Sequence, residues 1–111
     1  MQLFRLEIPL GIFYKPVDMA STGTVVVGVV GKRIVVISAS IIVSANVTLT
    51  WQTSTGLVEL TGPQSITTTG GYILPANFGG WFQTAFGDSL VLNMSPNVPV
   101  GGCISYVLDG P

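Results

Sequence analysis

A chain of 111 residues is the length of one domain, enough to close a hydrophobic core without disulfides or metals. Charged side chains make up only 8% of it, four basic against five acidic for a net charge of −1, so the balance offers no electrostatic case for nucleic acid or an anionic membrane. There is no histidine and a single cysteine, Cys103, which excludes an intrachain disulfide and removes the commonest general base and metal ligand.

In chain order, residues 1–22 have a character of their own. Apolar Leu3, Phe4, Leu6, Ile8, Ile12, Phe13 and Tyr14 are interrupted by Pro9, Gly11 and Pro16. Proline cannot donate to a sheet ladder, so the segment is expected to be an edge strand or an extended arm reaching a partner. The opening starts like a signal peptide, but Arg5, Glu7 and Pro9 break the apolar run, and secretion by that route is not expected. Residues 23–111 are expected to form the folded domain.

Thr24–Val30 reads as a strand, Gly31-Lys32 as a tight turn, and Arg33–Val43 as the next strand. On that strand Val35, Ile37, Ala39, Ile41 and Val43 are assigned to the core face, with Ile34, Val36, Ser38, Ser40 and Ile42 opposite. Across Val25–Val43 the hydropathy approaches that of a membrane span. Lys32 and Arg33 sit in its middle and the serines dilute it, so two strands in a soluble protein are the expectation and no membrane is implied. Asn46–Thr53 alternates cleanly, placing Val47, Leu49 and Trp51 inward. Leu57–Leu60, Tyr72–Leu74, Trp81–Ala85, Asp88–Met94 and Cys103–Leu108 complete the series, separated by Gly and Pro clusters. Cys103 is expected to be a small buried strand residue.

About eight strands, turns every eight to twelve residues and no helical period describe an all-β fold: an antiparallel β-sandwich or jelly roll. The abundance of Val, Ile and Thr agrees, because β-branched side chains pack well on a pleated surface.

The residues for chemistry are sparse. Glu7, Asp18, Glu59, Asp88 and Asp109 are scattered singly, so no pair is marked for acid–base work. Gly23 to Lys32 superficially resembles a phosphate loop but lacks the Ser or Thr after the lysine and the required glycine spacing. Two glycosylation-type triplets, at Asn46 and Asn93, fall inside expected strands. No cofactor is implied, and a non-enzymatic interaction module is the expectation. The pair Trp81-Phe82 beside Gly79-Gly80 is read either as a core residue with a cap on the sandwich end or as a binding platform.

One order of motifs carries a resemblance. It runs through Gly31-Lys32-Arg33-Ile34-Val35-Val36, Val47-Thr48-Leu49-Thr50-Trp51 and Leu60-Thr61-Gly62. It continues through Leu74-Pro75, Gly79-Gly80-Trp81-Phe82-Gln83-Thr84, Gly87-Asp88-Ser89-Leu90-Val91-Leu92-Asn93 and Val100-Gly101-Gly102. Over residues 24–108 this resembles small tailed-bacteriophage proteins similar to jelly-roll head decoration (cement) proteins; the N-terminal segment does not match. The resemblance implies a virion protein, a trimeric cap on the outer surface of the capsid that joins neighbouring copies of the major capsid protein. No active-site residue is carried over.

A module of this kind needs apolar residues outside its own core. Val26, Val30, Ile34 and Ile42, assigned to faces opposite the core, are candidates for a subunit interface. Leu3, Phe4, Leu6, Ile8, Phe13 and Tyr14 of the N-terminal segment, together with Trp81, are candidates for partner contact. The alternative is a carbohydrate-binding or host-recognition module of a phage fibre or tail, with Trp81 or Tyr72 exposed in a groove.

Overall fold

The computed structural model describes residues 11–110. Nine strands make up the described chain: β1 (Phe13–Met19), β2 (Gly23–Val26), β3 (Arg33–Val43), β4 (Val47–Thr53), β5 (Gln64–Ile66), β6 (Gly71–Leu74), β7 (Phe82–Gln83), β8 (Leu90–Ser95) and β9 (Val100–Asp109). They form two antiparallel sheets. The first has the order β1-β9-β3-β6, with β7 also pairing with β3; the second has the order β2-β8-β4-β5. Because β6 and β7 pair with successive lengths of β3, nine strands occupy eight positions. β1 to β4 alternate between the two sheets, β4 and β5 pair within the second, and β8 and β9 return to the second and the first, the order of a jelly roll.

The shared core follows from the period of two along each strand. Ile34, Val36, Ala39, Ile41, Val43, Val100 and Ile104 of the first sheet meet Val47, Leu49, Trp51, Leu90, Leu92 and Met94 of the second. Trp51 is fully buried, with its ring centroid 5.5 Å from that of Phe82. Its Nε1 donates to the Tyr72 hydroxyl at 2.8 Å, and that hydroxyl donates to Gln64 Oε1 at 2.9 Å. This relay ties β4 and β5 to β6 across the open side of the sandwich. Burial raises the Tyr72 pKa above 10.0, the hydrogen bond from Trp51 opposing it.

Two expectations of face are corrected by bulges. The register of β3 on β9 shifts between Val36 and Ser38, so Ile37 is an extra residue and the inward set changes parity there. Ile34 is therefore completely buried in the core, whereas Val35 turns to the outer side of the sheet. In β2 the register on β8 shifts between Thr24 and Val26, which turns Val26 inward to the core. Neither Ile34 nor Val26 is available to a partner. Cys103 is a third correction: it lies on β9 but is exposed, because its partners Ser40 and Pro16 share the outer face.

Element lengths differ as well. β2 ends at Val26 rather than Val30, and Leu57–Leu60 makes a single bridge from Glu59 to Gln52 instead of a strand. In the N-terminal segment, Phe13–Met19 is the edge strand of the first sheet, paired with β9 throughout. The candidates Leu3, Phe4, Leu6 and Ile8 lie outside the described residues.

Candidate functional site

Three loops converge at one end of the sandwich: residues 27–32 after β2, 54–58 after β4, and 84–89 before β8. Their joining point is Asp88-Ser89. The Ser89 hydroxyl accepts from Gly28 N at 2.8 Å, Ser89 N donates to Ser54 Oγ at 2.9 Å, and Ser54 N donates to Ser89 O at 3.0 Å. Asp88 Oδ2 accepts from the Thr53 hydroxyl at 2.6 Å, and its Oδ1 from the Thr55 hydroxyl at 2.8 Å. These hydroxyl donors, Thr53 first, hold the Asp88 carboxyl below its usual range. Gly87 N donates to Lys32 O at 2.7 Å, closing the first loop onto the third.

Glycine is required where the first loop meets the third. A Cβ on Gly28 would lie 2.4 Å from Gly87 O, so only a bare Cα permits the approach. That contact draws the chain out of the β2 ladder, which explains why the strand stops early.

The loops so fixed carry Val27, Val29, Val30, Leu57, Val58 and Phe86, all exposed; Val30 is 94% and Val27 75% accessible. The Arg33 guanidinium lies 5.1 Å from the Phe86 ring centroid while pairing with Asp109 at 2.7 Å. Leu57 follows Gly56 in a turn where both have positive φ, 49° and 75°. A leucine in that conformation costs about 1 kcal/mol relative to glycine-like permissiveness, and here it also displays its side chain to solvent. The turn itself lets Thr53 N donate to Val58 O at 3.0 Å and Gln52 bridge to Glu59, but that reversal does not require a large apolar side chain at Leu57.

A second uncovered region is the outer face of the first sheet. Pairing sets three rows across it: Tyr14-Ser105-Ser38, then Pro16-Cys103-Ser40-Ile73, then Asp18-Gly101-Ile42-Gly71. Tyr14, Ile42 and Ile73 are 76%, 61% and 73% exposed. Ser38 and Ser105 share a hydrogen bond between their hydroxyls. Residues 75–81 cross the far end of this face: Asn77 N donates to Ile37 O and Trp81 N to Val36 O, both at 2.8 Å. Gly80 lies directly against Val35, which is buried although it points away from the core.

Among the sequence-derived candidates, the structure thus places Val30 on the loop end and Tyr14 and Ile42 on the outer sheet face. Phe13 is exposed at the edge with its ring stacked on Tyr106 at 5.4 Å. Trp81 is 43% exposed, and its indole N–H donates to Pro75 O at 2.8 Å. The sequence reading did not single out Val27, Val29, Leu57, Val58, Phe86 or Ile73. Its available signal was the Gly28 and Gly31 bracket around Val29-Val30, which marks a loop more than a strand.

The acids are dispersed: Asp88 is in the loop network, Asp109 is paired with Arg33, Asp18 is on β1, and Glu59 is at its bridge. Among the described residues, no three of His, Cys, Asp and Glu gather into a metal site. No protein-family model, curated protein or solved structure matches the chain.

Proposed function

We propose that this chain is a structural, non-enzymatic assembly module that docks onto another protein through the apolar loop end of its sandwich. The observation that carries the reading is the locked crown of Val27, Val29, Val30, Leu57, Val58 and Phe86. Isolated surface hydrophobics are ordinary, but here six are carried on three loops that are hydrogen-bonded to one another at one end of the sandwich, a placement that suits an interaction surface. The Asp88-Ser89 hydrogen bonds hold the three loops before any partner arrives, which lowers the ordering cost of association.

In its finer form, guided by the motif resemblance, the partner is the major capsid protein of a tailed bacteriophage, and the module decorates the outer surface of the shell. A weakly charged, compact sandwich suits that role because little desolvation of charge opposes contact. The test adds purified protein to expanded shells that lack it. Saturable co-sedimentation with the shells is expected, and failure to bind at any concentration overturns this finer reading.

A second reading rests on half-exposed Trp81 with exposed Phe78 nearby in the chain, a platform on which a sugar ring can stack. It predicts glycan binding that Trp81→Ala abolishes; silence on a glycan panel removes it.

A further inference from the structure

The first sheet ends at β1, and the second ends beside it at β2. We propose that residues 2–9 add to the free edge of β1 as a further antiparallel strand, turning at Leu10-Gly11 and closing the open side between these two edge strands. The edge adjoins the loop end at Val27 but does not depend on what that end binds.

The backbone of β1 is set to receive a strand. Pro16 lies opposite Cys103 and has no N–H, so its place in the ladder is one whose backbone groups point away from β9. Antiparallel pairing alternates, so Tyr14 and Asp18 share that orientation. Their N–H groups, and the carbonyls of all three residues, face outward along an edge that no described strand covers.

Under this edge lies a hollow of about 330 Å³, with Val17 and Met19 of β1 on one wall and Val25 and Val27 on the other. Val27 is 75% exposed there. The opposite side of the sandwich is closed by the relay from Trp51 through Tyr72 to Gln64.

The preceding residues enter at this edge. Gly11 stands in a turn with φ of 85°, a conformation that glycine adopts freely and that helps reverse a chain. β1 has seven residues, and with Leu10 and Gly11 in the turn their partners run from Ile8 back to Gln2.

Pattern and charge select that register. It puts Phe4, Leu6 and Ile8 on the side of Val17 and Met19, over the hollow, and Arg5 and Glu7 on the outer side. Arg5 then lies diagonal to Asp18, within reach of its carboxylate. A slip of one residue either way would turn the three apolar side chains outward. It would also set Arg5 opposite Lys15 or the buried Val17. Phe4, Leu6 and Ile8 thus complete this chain's own sandwich and are not contacts for a partner.

Hydrogen exchange of the full chain gives the first test. The Tyr14 and Asp18 amides should exchange at least roughly tenfold more slowly than in an unstructured peptide. Leu6→Asp, which places a charge over the hollow, should abolish that protection while Ile104 in β9 stays protected, showing that the sandwich is folded. The second test uses a Cys103→Ser background. Leu6→Cys with Lys15→Cys should close an intrachain disulfide on mild oxidation, whereas Glu7→Cys with Lys15→Cys, on opposite sides of the sheet, should not.

Tyr14 and Asp18 amides that exchange as in an unstructured peptide overturn the proposal. So does equal cross-linking of the two cysteine pairs, the behaviour of an unanchored tail. A disulfide found only between two chains overturns it as well, because the edge then belongs to a neighbouring copy.

Discussion

The two sheets present opposite kinds of outer face. On the second sheet the outward rows are Thr24-Val91-Gln52, Asn93-Thr50 and Ser95-Thr48-Ser65, hydroxyls and amides with Val91 already buried. On the first sheet the corresponding positions carry Tyr14, Pro16, Ile42 and Ile73 around a small-residue centre. A sandwich requires apolar side chains only on its inner faces, so the second sheet is what folding alone asks for. The first sheet and the loop end exceed that requirement. The proposed docking rests on that excess at the loop end, because exposed apolar side chains contribute nothing to the monomer's core.

The sharpest way to break the comparison is to remove the core that both faces share. Leu49→Ala empties a fully buried position between the sheets, and a loss of about 2–5 kcal/mol is expected. Chemical denaturation should show one cooperative transition moved to lower denaturant. Separate transitions for the two sheets would show that they do not depend on one core.

Tyr72→Phe is expected to cost about 1–3 kcal/mol, because Trp51 Nε1 loses its acceptor where burial leaves no easy substitute. The same hydroxyl sets an alkaline limit. Its folded pKa is raised above 10.0, so its contribution is complete below the unfolded value and fades as pH rises through the folded one. Wild type should therefore lose stability in strong alkali more steeply than Tyr72→Phe, as unfolding midpoints across that range will report.

Asp88→Asn probes the loop end and has the opposite sign. The folded carboxyl titrates below its ordinary 3.8, so it stabilises above the unfolded value and that contribution disappears as pH falls through the folded pKa. A melting-temperature gap between wild type and Asp88→Asn should be open near neutral pH and closed in strong acid. A gap that persists unchanged in acid would mean that the ionised carboxylate is not what secures the loops.

The smallest effects compare the faces directly. Thr48→Lys on the second sheet and Ile42→Lys on the first should each change monomer stability by no more than about 0.5 kcal/mol. Only Ile42→Lys, which places a cation in the row next to Cys103 on the same outer face, should alter the rate at which that thiol reacts with a maleimide. Equal behaviour of the two variants in both measurements would erase the distinction between the faces.

The all-β sandwich was legible because Val47, Leu49 and Trp51 alternate with polar neighbours and because Gly and Pro punctuate the chain at strand spacing. The faces of Val26 and Ile34 were not legible. One inserted residue at each bulge reverses the alternation, and Val25 and Ile37 look like any other strand residues. The loop end was hidden for a related reason. Val27–Val30 has strand composition, and only the close approach of Gly28 to Gly87 shows that it leaves the sheet. The loop that carries Leu57 and Val58 joins it because the Thr55 hydroxyl donates to Asp88 and the Ser54 hydroxyl accepts from Ser89 N, pairings that no local sequence pattern encodes.

The docking claim is tested most directly by shells incubated with wild type, Val30→Asp and Phe86→Asp, each first shown to melt as the wild type does. Wild type should sediment with the shells to saturation, while either substitution, by placing a charge in the apolar crown, should leave the protein in the supernatant. Equal binding by all three proteins, or by none, would contradict the assignment of the loop end as the docking surface.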